Sequence, residues 1–206
     1  MVAEKENLLP FEEAKLFGHN ATHALAAYLG GLLKLQRIAD VTTVPGMMEF
    51  LRSAFLEESG QSLIHRYAGI DPLFTPSGYA TYVDDLLYRM VNPYLADTVE
   101  RVGRDVERKL GWDDRLVGTL RLGIVEGIMP RRYAIGTAAA LVRLDPDLLH
   151  NQADPGERLM SLWGDTQRDP DQENAVLALT RDSLTRLRRW YIDGEESVSL
   201  LKKWNE

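Results

Sequence analysis

The sequence predicts an all-α, multi-helix domain, and three observations carry that prediction. Asp-Pro stands at 71–72, 145–146, 154–155 and 169–170. Each pair joins a good N-cap to a residue tolerated only at a helix start. Apolar residues recur at helical spacing through most of the chain, and no alternating strand pattern of useful length interrupts them. Glycine and proline fall between the periodic segments, as stops and starts.

Taken in order, the first helix covers 11–34, opened by Pro10 and closed near Gly30-Gly31. The next covers 45–59, after Pro45 and up to Gly60, which reads as a helix end. Thr75-Pro76 caps a helix over 75–90. Asn92-Pro93 ends one helix and starts another, because proline disfavours the helical region for the residue before it. Further helices are expected over 114–128, 131–144, 155–163 and 172–191. The last is amphipathic: Val176, Leu177, Leu184, Leu187 and Tyr191 mark its apolar stripe, and Arg181, Arg186, Arg188 and Arg189 its solvated side. Trp112, Trp163, Trp190 and Trp204 read as core or interface anchors.

With 206 residues, 45% of them hydrophobic, the chain can bury a sizeable core, and it reads as one helical domain over 1–206. The net charge of -7 argues against a general nucleic-acid binder. No apolar run approaches the roughly 18 residues needed to span a bilayer, so no membrane span is expected. MVAEKENLLPFEE lacks the order of a signal peptide, and the chain holds no cysteine; both fit a cytoplasmic protein. Neither a G-x-G-x-x-G nor a P-loop pattern occurs. His19 and His23 form an i,i+4 pair without the glutamate of a zinc-protease helix, so no metal is expected.

Two constellations carry chemistry. The first is KLFGHNATH, with Lys15, Asn20 and His23. On an α-helix Asn20 lies about 140° from Lys15 and His23 about 80° from it, so an amine, a carboxamide and an imidazole share one arc. Such a set suits moving a proton and holding a polarised carbonyl. Glu12, a turn before Lys15, joins from the same side. The bland alternative is a solvated helix face. The second constellation is NPYLADTVERVGRDVERKLGWDDR, at 92–115. It holds Arg101, Arg104, Arg108, Lys109 and Arg115, interleaved with Glu100, Asp105, Glu107, Asp113 and Asp114. It reads either as a salt-bridged helix and turn broken at Gly103, or as an anion or polyol site, since arginine presents a planar donor fork.

Together the two segments resemble the catalytic C-terminal half of the long-chain mannitol dehydrogenase family. The signature is Lys, four residues, Asn, two residues, His, which Lys15, Asn20 and His23 match; AYLGGLLKLQRIADV is similar to the continuation of that helix. NPYLADTVERVGRDVERKL looks closest to the mannitol-1-phosphate 5-dehydrogenase branch. The resemblance spans roughly 11–125 and implies a multi-helix fold like the C-terminal domain of 6-phosphogluconate-dehydrogenase-like enzymes. It implies NAD(P)-dependent oxidation of a polyol or polyol phosphate. Lys15 would be the general acid/base, Asn20 the donor to the developing alkoxide, and His23 the residue orienting the substrate oxygen. Glu12 would sit beside the lysine and relay protons to solvent. Arg101 and Lys109 would hold the polyol chain, with Arg104 and Arg108 as candidates for a terminal phosphate.

The chain departs from the family in three ways. It lacks the preceding dinucleotide-binding domain, so NAD or NADP is expected to be bound mainly by a domain outside it. The chain is then a fragment or a separate subunit, inactive alone, with an open face at Lys15. His19 beside Asn20 and Val106 after Asp105 are not the family's residues. Two other readings stand beside this one. One is a non-catalytic helical module that binds a sugar phosphate or a partner protein. The other is a 6-phosphogluconate or hydroxyacid dehydrogenase domain, for which the Lys15-to-His19 spacing is one residue too long.

Overall fold

The computed structural model describes residues 7–151 and 153–193. Helix α1 runs over 9–32 in three continuous pieces: Leu9–Glu13, a π-helical Ala14–Asn20, and Ala21–Leu32. Helix α2, over 47–66, repeats the design with Met47–Ser53, a π-helical Ala54–Gly60 and Gln61–Arg66. There follow α3 (Pro76–Met90), α4 (Val99–Gly103), α5 (Val106–Lys109), α6 (Val117–Val125), α7 (Arg131–Leu144), α8 (Pro155–Trp163) and α9 (Pro170–Asp193). Among the described residues no strand forms; the only extended pairing is an isolated antiparallel bridge, Arg37 to Thr98. No helix among them is long and apolar enough to cross a membrane.

The punctuation in the sequence works as expected at most joins. Asp71, Asp145, Asp154 and Asp169 each accept a backbone N–H at the start of a helix or 3₁₀ turn. Thr75 caps α3 through Gly78 N–H, and α4 ends at Gly103. Gly60 is the exception. The chain passes through it as helix and continues to Arg66. Its backbone is right-handed, with φ -65°. What the position requires is the missing side chain: a Cβ there would lie 2.7 Å from the Phe55 carbonyl oxygen and 2.9 Å from the Tyr79 ring.

Helix α7 is the hub. Every residue from Arg132 to Val142 is buried, as expected of a helix apolar on all sides. It packs against α1 and α9. Small residues let the first of these contacts close: a Cβ on Gly136 would lie 2.7 Å from Leu25 of α1. Val176, Leu177, Leu184 and Leu187 of α9 are buried, as are Trp112, Trp163 and Trp190. Trp112 and Trp163 meet edge to face at 4.8 Å, and Arg121 lies over the Trp112 ring at 4.3 Å. Three arginines of α9 serve the fold, while Arg189 is exposed. Arg181 forms a bidentate pair with Asp154 and Arg186 pairs with Asp182, while Arg188 donates to the Leu148 and Ala153 carbonyls. The Tyr191 side chain and Trp204 lie outside the described residues.

Candidate active site

The site begins with the register of α1. An α-helix closes its hydrogen bonds from i to i+4, and a π turn from i to i+5. Lys15 and Asn20 are five residues apart and both lie in the π turn Ala14–Asn20. The turn therefore stacks them on one side, where an α-helix would hold them about 140° apart. The backbone change narrows the arc expected from the sequence. Gly18 lies at the middle of the turn and is buried. A Cβ on it would lie 2.5 Å from the Phe55 ring and 2.8 Å from the Tyr79 hydroxyl, so the second π turn and α3 press directly on this backbone.

Lys15 is exposed, Asn20 and His19 are half-buried, and Glu12 is exposed. None of these four side chains makes a hydrogen bond or ion pair within the described residues. Glu13, next to Glu12, is instead tied to Arg66 at 3.3 Å and the Tyr67 hydroxyl at 2.7 Å. His19 stacks flat on His23, with ring centroids 5.9 Å apart and planes 10° apart. Burial and the Lys15 ammonium, in that order, lower the pKa of His19. His23 goes further: burial, against the opposing Asp97 carboxylate, brings it down to about 4. Its Nε2 is buried without a hydrogen bond, 3.7 Å from Asp97 Oδ2. At neutral pH His23 is a neutral imidazole.

The second constellation meets the first at Asp97. The Arg37–Thr98 bridge holds that loop: Ile38 N–H donates to the Asp97 carbonyl at 2.9 Å, and Val99 N–H to the Gln36 carbonyl at 3.0 Å. Thr98 then caps α4 through Arg101 N–H at 3.1 Å. From here the Asp97 carboxylate faces His23 and receives the Arg101 guanidinium. The charges of Arg101 and Lys109 add weakly to the lowering of the His23 pKa, behind burial and His19.

The remaining basic residues divide by what they touch. Lys109 is buried, and its ammonium donates to the Val102 carbonyl at 2.7 Å and to the Arg104 carbonyl. It thereby caps the free end of α4. Burial first, then Arg115 and Arg108, lower its pKa to about 8. Arg108 is held by Asp114 at 2.9 Å, and so faces the turn after α5. Arg115 pairs with the same carboxylate at 2.9 Å. Arg104 is exposed, with no side-chain partner among the described residues.

His19, His23, Asp97 and Arg101 are thus linked by contact from α1 to the start of α4, and the Lys15 charge bears on His19. Asn20 adjoins His19 in the chain, and Lys109 is buried at the end of α4. Lys15 is exposed. A cavity of about 600 Å³ lies farther along α1, bordered by Ala27, Tyr28, Leu32, Val99 and Val142, and none of Lys15, Asn20, His23, Arg101 or Lys109 lines it. Sequence reasoning names the basic residues of both segments but passes over Asp97, the carboxylate that joins them. The signal for it is present in hindsight: an acid immediately before a Thr N-cap, four residues ahead of Arg101.

Residues 7–182 match the family model described as the mannitol dehydrogenase C-terminal domain. Among solved structures, the chain is similar to the ternary complex of Pseudomonas fluorescens mannitol 2-dehydrogenase with NAD and D-mannitol, with a TM-score of 0.72 and 21% identity. That match covers 97% of this chain and 41% of the other, so the chain spans about two-fifths of the length of the enzyme it resembles.

Proposed function

We propose a function from one premise: the chain belongs to the mannitol dehydrogenase C-terminal domain family. On this reading it is the substrate-binding and catalytic part of an NAD(P)-dependent polyol or polyol-phosphate dehydrogenase. The observation that carries the reading is the π turn, which sets Lys15 and Asn20 on one side of α1 beside the His23–Asp97–Arg101 cluster.

Lys15 is the general base that removes the proton from the reacting hydroxyl, and the acid that returns it in the reverse direction. Its exposure leaves it a direct path to solvent, with Glu12 one turn away to pass the proton on. Asn20 donates its amide N–H to the oxygen as it becomes carbonyl-like. His23, a neutral imidazole, orients the same oxygen on this reading, which requires its buried Nε2 to become reachable when the dinucleotide-binding domain docks. Arg101, steadied by Asp97, holds the hydroxyls farther along the polyol. Lys109 has a third donor left after capping α4 and can join it.

The described residues contain no strand, hence no strand–turn–helix cradle for a dinucleotide pyrophosphate. Nicotinamide, as NAD or NADP, would supply the hydride acceptor from a dinucleotide-binding domain, in the same polypeptide or a separate subunit, docked on the open Lys15 face. For a phosphorylated substrate such as mannitol 1-phosphate, Arg104 is the better anion ligand. Its guanidinium is uncommitted, whereas Arg108 is spent on Asp114.

The test is oxidation of mannitol and of mannitol 1-phosphate with NAD and with NADP, by this chain combined with its dinucleotide-binding domain. Turnover that Lys15→Ala abolishes supports the reading. No turnover with either substrate, and no thermal shift of the chain by fructose 6-phosphate, would leave a non-catalytic module in its place.

A further inference from the structure

The two π turns are joined through one buried phenol. Tyr133 of α7 is fully buried. Its hydroxyl lies 2.7 Å from Thr22 Oγ1 and 3.1 Å from Ser59 Oγ. Each of those hydroxyls reaches back one turn along its own helix: Thr22 to the Gly18 carbonyl at 2.9 Å, Ser59 to the Phe55 carbonyl at 3.1 Å. Gly18 and Phe55 lie inside the first and second π turns. The backbone of Tyr133 is held in turn by Glu58 of the second π turn, whose carboxylate accepts its N–H at 3.2 Å.

Proton counting orders this network. Three hydroxyls carry three hydrogens, but the geometry offers four contacts. Tyr133 can donate to only one neighbour. The shorter contact, to Thr22, takes its proton, which frees the Thr22 hydrogen for the Gly18 carbonyl. A single directed relay then runs from Tyr133 through Thr22 to the middle of the turn that carries Lys15 and Asn20. Ser59 is left to choose between Tyr133 and Phe55. The hydroxyl of Thr22 is a second donor, beside the Ala21 N–H, to the Gly18 carbonyl at the end of the π turn, and Tyr133 fixes that hydroxyl's rotamer.

We propose that Tyr133 is a positioning residue. Through Thr22 it locks the π register of α1 and so holds Lys15 and Asn20 in convergence on the substrate. The inference rests on the reading of Lys15 and Asn20 as the proton-transfer pair. Misplacement of such groups by about 1 Å can cost about a hundredfold in rate. With the dinucleotide-binding domain present, Tyr133→Phe and Thr22→Val should each lower kcat about ten- to a hundredfold with KM within about twofold. Thr22→Ser, which keeps the hydroxyl, should restore most of the rate. Ser59→Ala should cost less than either, because the relay does not run through it.

Amide hydrogen exchange on this chain reads the same device without turnover. In Tyr133→Phe, residues 19–23 should exchange at least about tenfold faster relative to residues 138–142 of α7, a ratio that cancels any global loss of stability. An unchanged exchange ratio overturns the proposal, as does an unchanged kcat in an active enzyme. If the unaltered protein oxidises no polyol, the functional reading fails by itself. The exchange ratio then still decides whether Tyr133 sets the register.

Discussion

The π turns at Ala14–Asn20 and Ala54–Gly60 are the same backbone device put to opposite uses. The second turn is sealed: Phe55, Glu58, Ser59 and Gly60 are all buried. Its carboxylate, Glu58, is consumed by the fold. It accepts the Arg132 N–H at 2.9 Å and the Tyr133 N–H at 3.2 Å, and meets the Arg132 guanidinium at 3.2 Å, so it caps the N-terminus of the central helix. The first turn buries only Ala14 and Gly18. Its polar side chains, Lys15, His19 and Asn20, are left without a hydrogen bond or ion pair among the described residues, His19 having only its stack on His23. A turn that re-aims side chains can serve either a buried cap or an open polar surface. Which one it serves depends on whether another element has already taken the polar groups.

The contrast breaks if the two turns respond alike to substitution. The largest separation is expected at Lys15 and Glu58. On the proposed function, and with a dinucleotide-binding domain supplied, Lys15→Ala should lower kcat by about 10² to 10⁴, the usual range for a general base. It should move stability by less than about 0.5 kcal/mol, because an exposed, unpaired side chain is removed. Glu58→Ala should do the reverse. It strands two buried backbone N–H groups and weakens the pairing of Arg132, and should cost about 3 kcal/mol or more in a urea unfolding experiment. Next in size is Gly60→Ala, which sets a methyl against the Phe55 carbonyl and the Tyr79 ring. It should cost about 1–3 kcal/mol by the same measurement.

Acidity sharpens the comparison. Burial raises the Glu58 carboxyl from 4.5 to about 7 despite its three donors. The folded state therefore holds more protons than the unfolded state between those values, and the Glu58 contribution to stability grows as pH falls from 7 toward 4.5. His23 runs the other way. Its pKa falls from 6.5 to about 4, so in that window the unfolded state holds the extra proton and stability is lost as pH falls. Glu58→Gln should therefore steepen the loss of stability on going from pH 7 to pH 5. The smallest signal to read is the His23 ring itself: its NMR titration midpoint should lie near pH 4. A midpoint near 6.5 would mean that the ring is solvated and that its burial against Asp97 is wrong.

Much of the fold is legible from local chemistry alone. The Asp-Pro caps place the starts of α8 and α9 to within a few residues, and α7 occupies 131–144 as its periodicity predicts. Gly60 misleads because two forces select glycine. One is the left-handed conformation that ends helices, and the other is close approach of a neighbouring backbone or ring. Here only the second operates, and it depends on Tyr79, a residue from another helix. The candidate site is legible in the same uneven way. Lys15, Asn20 and His23 show themselves by spacing, and Arg101 and Lys109 by resemblance. The π register does not, since no single residue of KLFGHN dictates it. It emerges from Gly18 pressed by Phe55 and from a hydroxyl bond to Tyr133, both distant in sequence. Asp97 is missed because its role lies in joining two segments, which no pattern within either segment records.

The Arg37–Thr98 bridge has a bearing on how the molecule reaches this state. It closes a loop of about sixty residues, from the turn after α1 to the loop before α4. Until that closure occurs, Asp97 is not beside His23, and the imidazole and the guanidinium of Arg101 belong to separate parts of a chain still searching. The helix bearing Lys15 can form from contacts near in sequence, whereas the His23–Asp97–Arg101 cluster cannot. The cluster therefore depends on a long-range closure, held by a pair of backbone hydrogen bonds, of the kind that contact order makes slower to form than a local helix.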